Sequence, residues 1–334
     1  MYCFQLTEVI FERDSNISYI DSTAFDICPK LETFMIPDSF HTISGVLSNI
    51  PKTIKKIILP GTTIETIPRH CFIQFVNLES IEANEYTYIK NTEYYAFSTI
   101  KNLKTVNLNC SVYLNDYSFY NCQNLLNVYI KEIRYFGILS FNKCPSLKNV
   151  TIIDYNGTIP DYCFEYCQRL INFNSNVAIK IVGNYSFAHC SLLELDLSSL
   201  KTVNHSGFLN SRIINFPENI EYIGENAFNQ CTFVNPNISF SNKLSEISPG
   251  AFTETNGLKQ VKYCGRKDFN VVGSVFSSGI TIYVSHLYPG SKFYGVIVTK
   301  GNSGISCDIP PRTLDTNIYA KGLGPTKFRL LRRH

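Results

Sequence analysis

The sequence predicts a solenoid, mainly β or α/β, of about 12 coils of 20–25 residues stacked on a parallel strand ladder. Three observations predict it. A phenylalanine recurs at that interval: Phe25, Phe72, Phe97, Phe119, Phe141, Phe164, Phe187, Phe208, Phe228, Phe252 and Phe276. Apolar residues recur at fixed offsets from it. Part of each repeat alternates with a period of two, the signature of a strand.

The elements follow in order along one coil. A small residue often precedes the anchor: Ala24, Ala96, Ser118, Ser140, Ser186, Ala227 and Ala251. Six residues after it comes Leu31, Leu78, Leu103, Leu125, Leu147, Leu170, Leu193 or Leu258, with Ile214, Val234 and Ile282 in weaker copies. Steps of three from anchor to leucine suit a helical or 3₁₀ turn. Nine residues after the anchor stand Phe34, Ile81, Val106, Val128, Val150, Phe173 and Val261, and eleven after it Ile36, Leu108, Ile130 and Ile152. That pair marks a strand with these side chains inward. A second extended piece is expected around Ile20, Ile67, Leu114, Phe136, Ile159, Val182, Val203, Ile223 and Ile247, five residues before the next anchor. No coil buries its apolar side alone, whereas stacked coils bury a continuous core. The long gap between Phe25 and Phe72 closes if Leu47 fills the missing place.

The run Tyr222-Ile223-Gly224-Glu225-Asn226-Ala227-Phe228-Asn229-Gln230-Cys231 resembles the motif of BspA-type leucine-rich repeats, as do the copies around Phe119 and Phe141. The resemblance spans about residues 6–290. It implies a right-handed, curved leucine-rich-repeat stack without catalytic residues in its repeats. It further implies a surface protein that binds host or neighbouring-cell proteins. The copies around Leu47, Phe208 and Phe228 depart from the motif.

By organisation, residues 1–290 form the solenoid, its first coil partial because Leu6, Val9 and Phe11 match a repeat whose anchor would precede Met1. Residues 291–334 form a C-terminal cap and a loose basic tail. Eight Lys/Arg against two Asp give that tail about +6 of a net charge of +3. The favoured reading is capping by Phe293–Val298 and a solvated end, with contact to an anionic surface as the alternative. The opening residues lack a basic segment followed by an apolar stretch, and no apolar run is long enough for a membrane helix. Compartment therefore divides. The resemblance points to the cell surface or secretion, and the missing signal peptide to the cytoplasm.

Chemistry is sparse. Cys28, Cys122, Cys144, Cys167, Cys190 and Cys231 fall three residues after an anchor. Stacking spreads them along a line, whereas zinc needs ligands converging on a point. Parallel side chains also disfavour disulfides between rungs. They read as buried thiols. Cys163 with Cys167, and His189 with Cys190 one coil later, are the best metal candidates, though Cys163 and Cys71 occupy the small-residue slot. No Walker loop, H-E-x-x-H or nucleophile motif occurs. The chain is read as a non-enzyme without cofactor or metal. Seven Asn-x-Ser/Thr sequons, at Asn16, Asn109, Asn149, Asn156, Asn184, Asn204 and Asn237, are open to glycosylation only on export.

The candidate binding face is the outward side of the strand ladder, eight and ten residues after each anchor. It comprises Thr33, Met35, Ser80, Glu82, Thr105, Asn107, Asn127, Tyr129, Asn149, Thr151, Asn172 and Asn174. These amides and hydroxyls suit protein or glycan contacts and lack the basic character nucleic acid requires. The expected function is protein recognition, in surface adhesion or host interaction. An intracellular leucine-rich-repeat scaffold is the alternative, and a cysteine-based redox or metal-responsive protein a third reading.

Overall fold

A computed structural model describes residues 3–13, 15–191, 193–269 and 273–301. The coils stack through parallel ladders. In the longest, Glu8–Val9, Thr33–Met35, Lys56–Ile58, Ser80–Ala83, Thr105–Leu114, Asn127–Phe136, Asn149–Asp154 and Asn172–Asn174 pair in turn. The register carries each inward residue onto its counterpart: Phe34, Ile57, Ile81, Val106, Val128, Val150 and Phe173. A second ladder runs through Thr158–Ile159, Ile181–Val182, Thr202–Val203, Tyr222–Ile223 and Glu246–Ile247. Its inward residues are the expected ones, and Phe136, further up the same row, is only half-buried. A third sheet joins Asn237–Phe240, Gln260–Tyr263, Thr281–Val284 and Val296–Lys300, the last also forming a hairpin with Lys292–Phe293.

The anchors form the spine of the core. From Phe72 to Phe276 ten rings stack face to face, with centroids 4.7–5.5 Å apart and planes within 15°. That spacing is close to the distance between neighbouring strands, so the coil pitch itself sets the stacking. Phe25 lies outside the stack. Half-buried, it packs edge-on to Phe34 at 5.5 Å.

The anchor turn differs from the helical or 3₁₀ segment its spacing suggested. Residues two before and two after the anchor adopt positive φ in coil after coil: Tyr95 and Thr99, Tyr117 and Asn121, Leu139 and Lys143, Tyr162 and Tyr166, Tyr185 and His189. Two residues before Phe252 the same place is taken by Gly250, at φ +73°. The left-handed residues and the anchor between them turn their N–H groups out of the coil. Tyr117, Phe119 and Asn121 donate to the carbonyls of Ile138, Ser140 and Asn142 at 2.9, 2.7 and 2.9 Å. The residues between close short local turns, as Tyr120 does on Tyr117 at 3.0 Å. Inter-coil bonds thus compensate the cost of placing non-glycine residues in the left-handed region.

Two local registers also differ. Leu47 is buried, but it sits in the α-helix Ser44–Ser48, and the strand after it comes one residue late. Ile57 therefore points inward, and Lys56 and Ile58 join the outer face. In the Phe208 and Phe228 copies the paired strands Arg212–Ile213 and Thr232–Phe233 bury Ile213 and Phe233. Ile214 is only half-buried and Val234 is half exposed, because alternation along a strand turns the next residue outward.

Candidate functional site

The long ladder presents two outward rows. The first runs Thr33, Lys56, Ser80, Thr105, Asn127, Asn149 and Asn172, and the second Met35, Ile58, Glu82, Asn107, Tyr129, Thr151 and Asn174. All twelve residues named from the sequence lie on this one surface. Lys56 and Ile58 complete it and were missed, since their coil lacks the anchor from which the offsets were counted.

The face is ordered by its own side chains. The Asn149 amide donates to Asn127 Oδ1 and the Asn172 amide to Asn149 Oδ1, both at 2.8 Å. Lys56 pairs with Glu82 at 2.8 Å, cancelling the charges of the two rows there. Along the neighbouring row Lys55 pairs with Glu32 and Lys104 with Glu79, at 2.6 and 2.9 Å. What remains free is neutral, mostly amides and hydroxyls, with Met35 and Ile58 as apolar members and Tyr129 as a half-buried aromatic.

The cysteines have a structural task the sequence did not reveal. Cys122, Cys144, Cys167, Cys190 and Cys231 each direct a thiol at the carbonyl of the preceding coil's phenylalanine, 2.9–3.3 Å away. Ser211 stands in this row and donates to the Phe187 carbonyl at 2.6 Å. The slot therefore selects a small donor. Burial pushes the Cys231 thiol up to about 12, and the Cys144 and Cys167 thiols well above the ordinary thiol range. Cys264, not singled out by the repeat, is disulfide-bonded.

Cys163 and Cys167 are both fully buried in separate rows of the core, and His189 stacks on Tyr166 at 4.5 Å. His70 bonds the Ser98 hydroxyl at 3.0 Å, and burial holds its pKa low. Among the described residues no three metal-ligating side chains converge. Nor is any helix there long and apolar enough to cross a membrane. The basic end of the tail lies outside the described residues, as does most of residues 291–334.

No curated protein matches the chain. Among solved structures it is similar to a leucine-rich cell surface protein from Faecalibacterium prausnitzii, at 14% identity and a TM-score of 0.35, covering 75% of this chain and 88% of that one. It is similar to a leucine-rich repeat protein from Bacteroides ovatus, at 21% identity and a TM-score of 0.38, covering 77% and 78%. The Toll–Spätzle complex of Drosophila matches at 12% identity and a TM-score of 0.31, covering 81% and 49%. The model of the BspA type leucine rich repeat region matches residues 1–49, 47–171 and 157–278, in six copies. With that match over most of its length, and the phenylalanine stack and parallel ladder behind it, the chain belongs to the BspA-type leucine-rich repeat family.

Proposed function

We propose that this protein is a non-catalytic recognition module that binds a partner protein on the outward face of its long ladder. The observation that supports this best is the unbroken pair of rows from Thr33 and Met35 to Asn172 and Asn174. Many short, neutral hydrogen-bonding groups on a rigid frame offer a wide surface at little ordering cost. The ion pairs Lys56–Glu82 and Lys104–Glu79 neutralise charge that would otherwise favour polyanions.

Within this reading, family membership favours a cell-surface role in adhesion or host interaction. The free cysteines among the described residues favour the alternative of an intracellular scaffold, since reduced thiols are the cytosolic norm, whereas the disulfide at Cys264 favours export. Intact source cells labelled with a membrane-impermeant biotin reagent separate the two. Labelling without that of a cytosolic control supports adhesion, and labelling only after permeabilisation supports the scaffold. The face itself is tested with a photo-crosslinking residue at Asn107, and at Arg169 on the turn side as control. Capture of a protein through Asn107 alone is the expected result. Equal capture at both positions, or none at Asn107, would overturn the assignment.

A further inference from the structure

The second ladder carries a depression on its outer side that the strand-face reading does not use. It encloses about 560 Å³ and is lined by residues from four successive coils: Asn184, Asn204 with His205, Tyr222 with Glu225, and Ser248. We propose that this depression is a binding site for a neutral saccharide.

The lining divides into a fixed floor and free polar groups. Asp161 accepts from the backbone N–H and the side-chain amide of Asn184, at 2.7 and 2.8 Å. Asn184 Oδ1 in turn accepts the His205 backbone N–H at 3.1 Å. The His205 ring is held at Nε2 by the Tyr185 hydroxyl at 3.0 Å. These bonds cross three coils and set the floor before any ligand arrives, which lowers the cost of binding.

The remaining groups are uncommitted. Asn204 and Tyr222 engage no side-chain hydrogen bond among the described residues, and Glu225 approaches only His205, at 3.8 Å. An amide, a phenol and a carboxylate around one hollow supply both donors and acceptors. Sugar hydroxyls need both, since each is one donor and two acceptors. The ring of the half-buried Tyr222 adds a flat apolar surface for the C–H side of a pyranose. No lysine or arginine lines the hollow, so it lacks what a phosphate or sulfate would require. Its strands are two residues long, Thr202–Val203 and Tyr222–Ile223, too short for an extended peptide to pair along. The site is separate from the long-ladder face and stands or falls without it.

The test is a printed array of neutral, sialylated and sulfated oligosaccharides probed with the full chain, followed by calorimetry on the best neutral binder. Asn204→Ala and Glu225→Gln are expected to weaken that binding by on the order of tenfold each, the loss of one directed hydrogen bond. Arg169→Ala, exposed on the turn side and outside both surfaces, leaves it unchanged. If Asn204→Ala fails to fold, Tyr222→Phe, which removes only a hydroxyl, serves the same purpose. The proposal is overturned by an array without a bound neutral glycan, by binding confined to acidic glycans, or by binding that both pocket variants retain.

Discussion

Truncating Phe119 to alanine tests the architecture at its spine. The ring is fully buried and sandwiched between Phe97 at 4.7 Å and Phe141 at 5.1 Å, with planes 6° and 2° from parallel. Loss of a buried aromatic costs about 3–5 kcal/mol, set by how far the site collapses. Collapse is blocked here. The Phe97 and Phe119 N–H groups are bonded to Ser118 and Ser140 of the following coils, at 2.8 and 2.7 Å, which fixes the spacing. Two ring pairs are lost as well, each worth about 0.5–1.5 kcal/mol beyond area. We therefore expect Phe119→Ala to cost about 4–5 kcal/mol. Urea unfolding followed by circular dichroism measures this. Hydrogen exchange reports whether the coils on either side uncouple, since long arrays depart from two-state behaviour. Tyr129→Ala, outward on the ladder, is expected to stay within about 0.5 kcal/mol. A loss below about 1 kcal/mol for Phe119→Ala, or equal losses for both variants, would refute the inside/outside assignment.

Other outcomes follow from the same structure. Cys144→Ser keeps a donor for the Phe119 carbonyl, 3.2 Å from the thiol, and should cost less in urea midpoint than Cys144→Ala, which orphans that carbonyl. Asn149→Asp sets a carboxylate against Asn127 Oδ1, where an amide now donates at 2.8 Å. A loss of about 1 kcal/mol is expected, measured by thermal melting at pH 7. Thiols such as Cys110 and Cys231 are raised from 9.0 to about 12 by burial, so the folded state keeps protons that the unfolded state releases. Stability should thus be full below pH 9 and fall as pH rises from 9 toward 12, seen as a declining urea midpoint under argon. A midpoint that is flat or rising over that window would contradict the buried-thiol assignment.

The parts of the fold that could be read from the sequence are those the repeat states many times over. Phe119, Leu125, Val128 and Ile130 sit where their spacing put them, because one side-chain type recurs at one offset in most coils. The anchor turn was misread for a physical reason. Apart from Gly250, its left-handed positions hold residues such as Tyr, His, Asn, Leu and Lys, since inter-coil bonds enforce the conformation. Steps of three alone cannot distinguish such a turn from a 3₁₀ segment. Lys56 and Ile58 were lost because a one-residue shift at the helix Ser44–Ser48 moves every later offset in that coil. The hollow at Asn204 and Glu225 had no linear signature. Its residues are about a coil apart and come together only when the stack is built.

The anchor turn carries a consequence for how such a chain is inherited. Tyr185, Phe187 and His189 pass their N–H groups to His205, Gly207 and Leu209, as Tyr117, Phe119 and Asn121 pass theirs to Ile138, Ser140 and Asn142. Every handover runs the same way along the axis, from one coil to the next. A whole coil deleted or duplicated in the gene leaves three donors still facing three carbonyls. A one-residue insertion instead turns buried side chains outward and must be absorbed locally, as the coil at Leu47 absorbs its own with a helix. Copy number is therefore expected to vary in steps of one coil, while differences of a few residues, as between the 20-residue step from Phe208 to Phe228 and the 25-residue step from Phe72 to Phe97, are taken up outside the anchor turn.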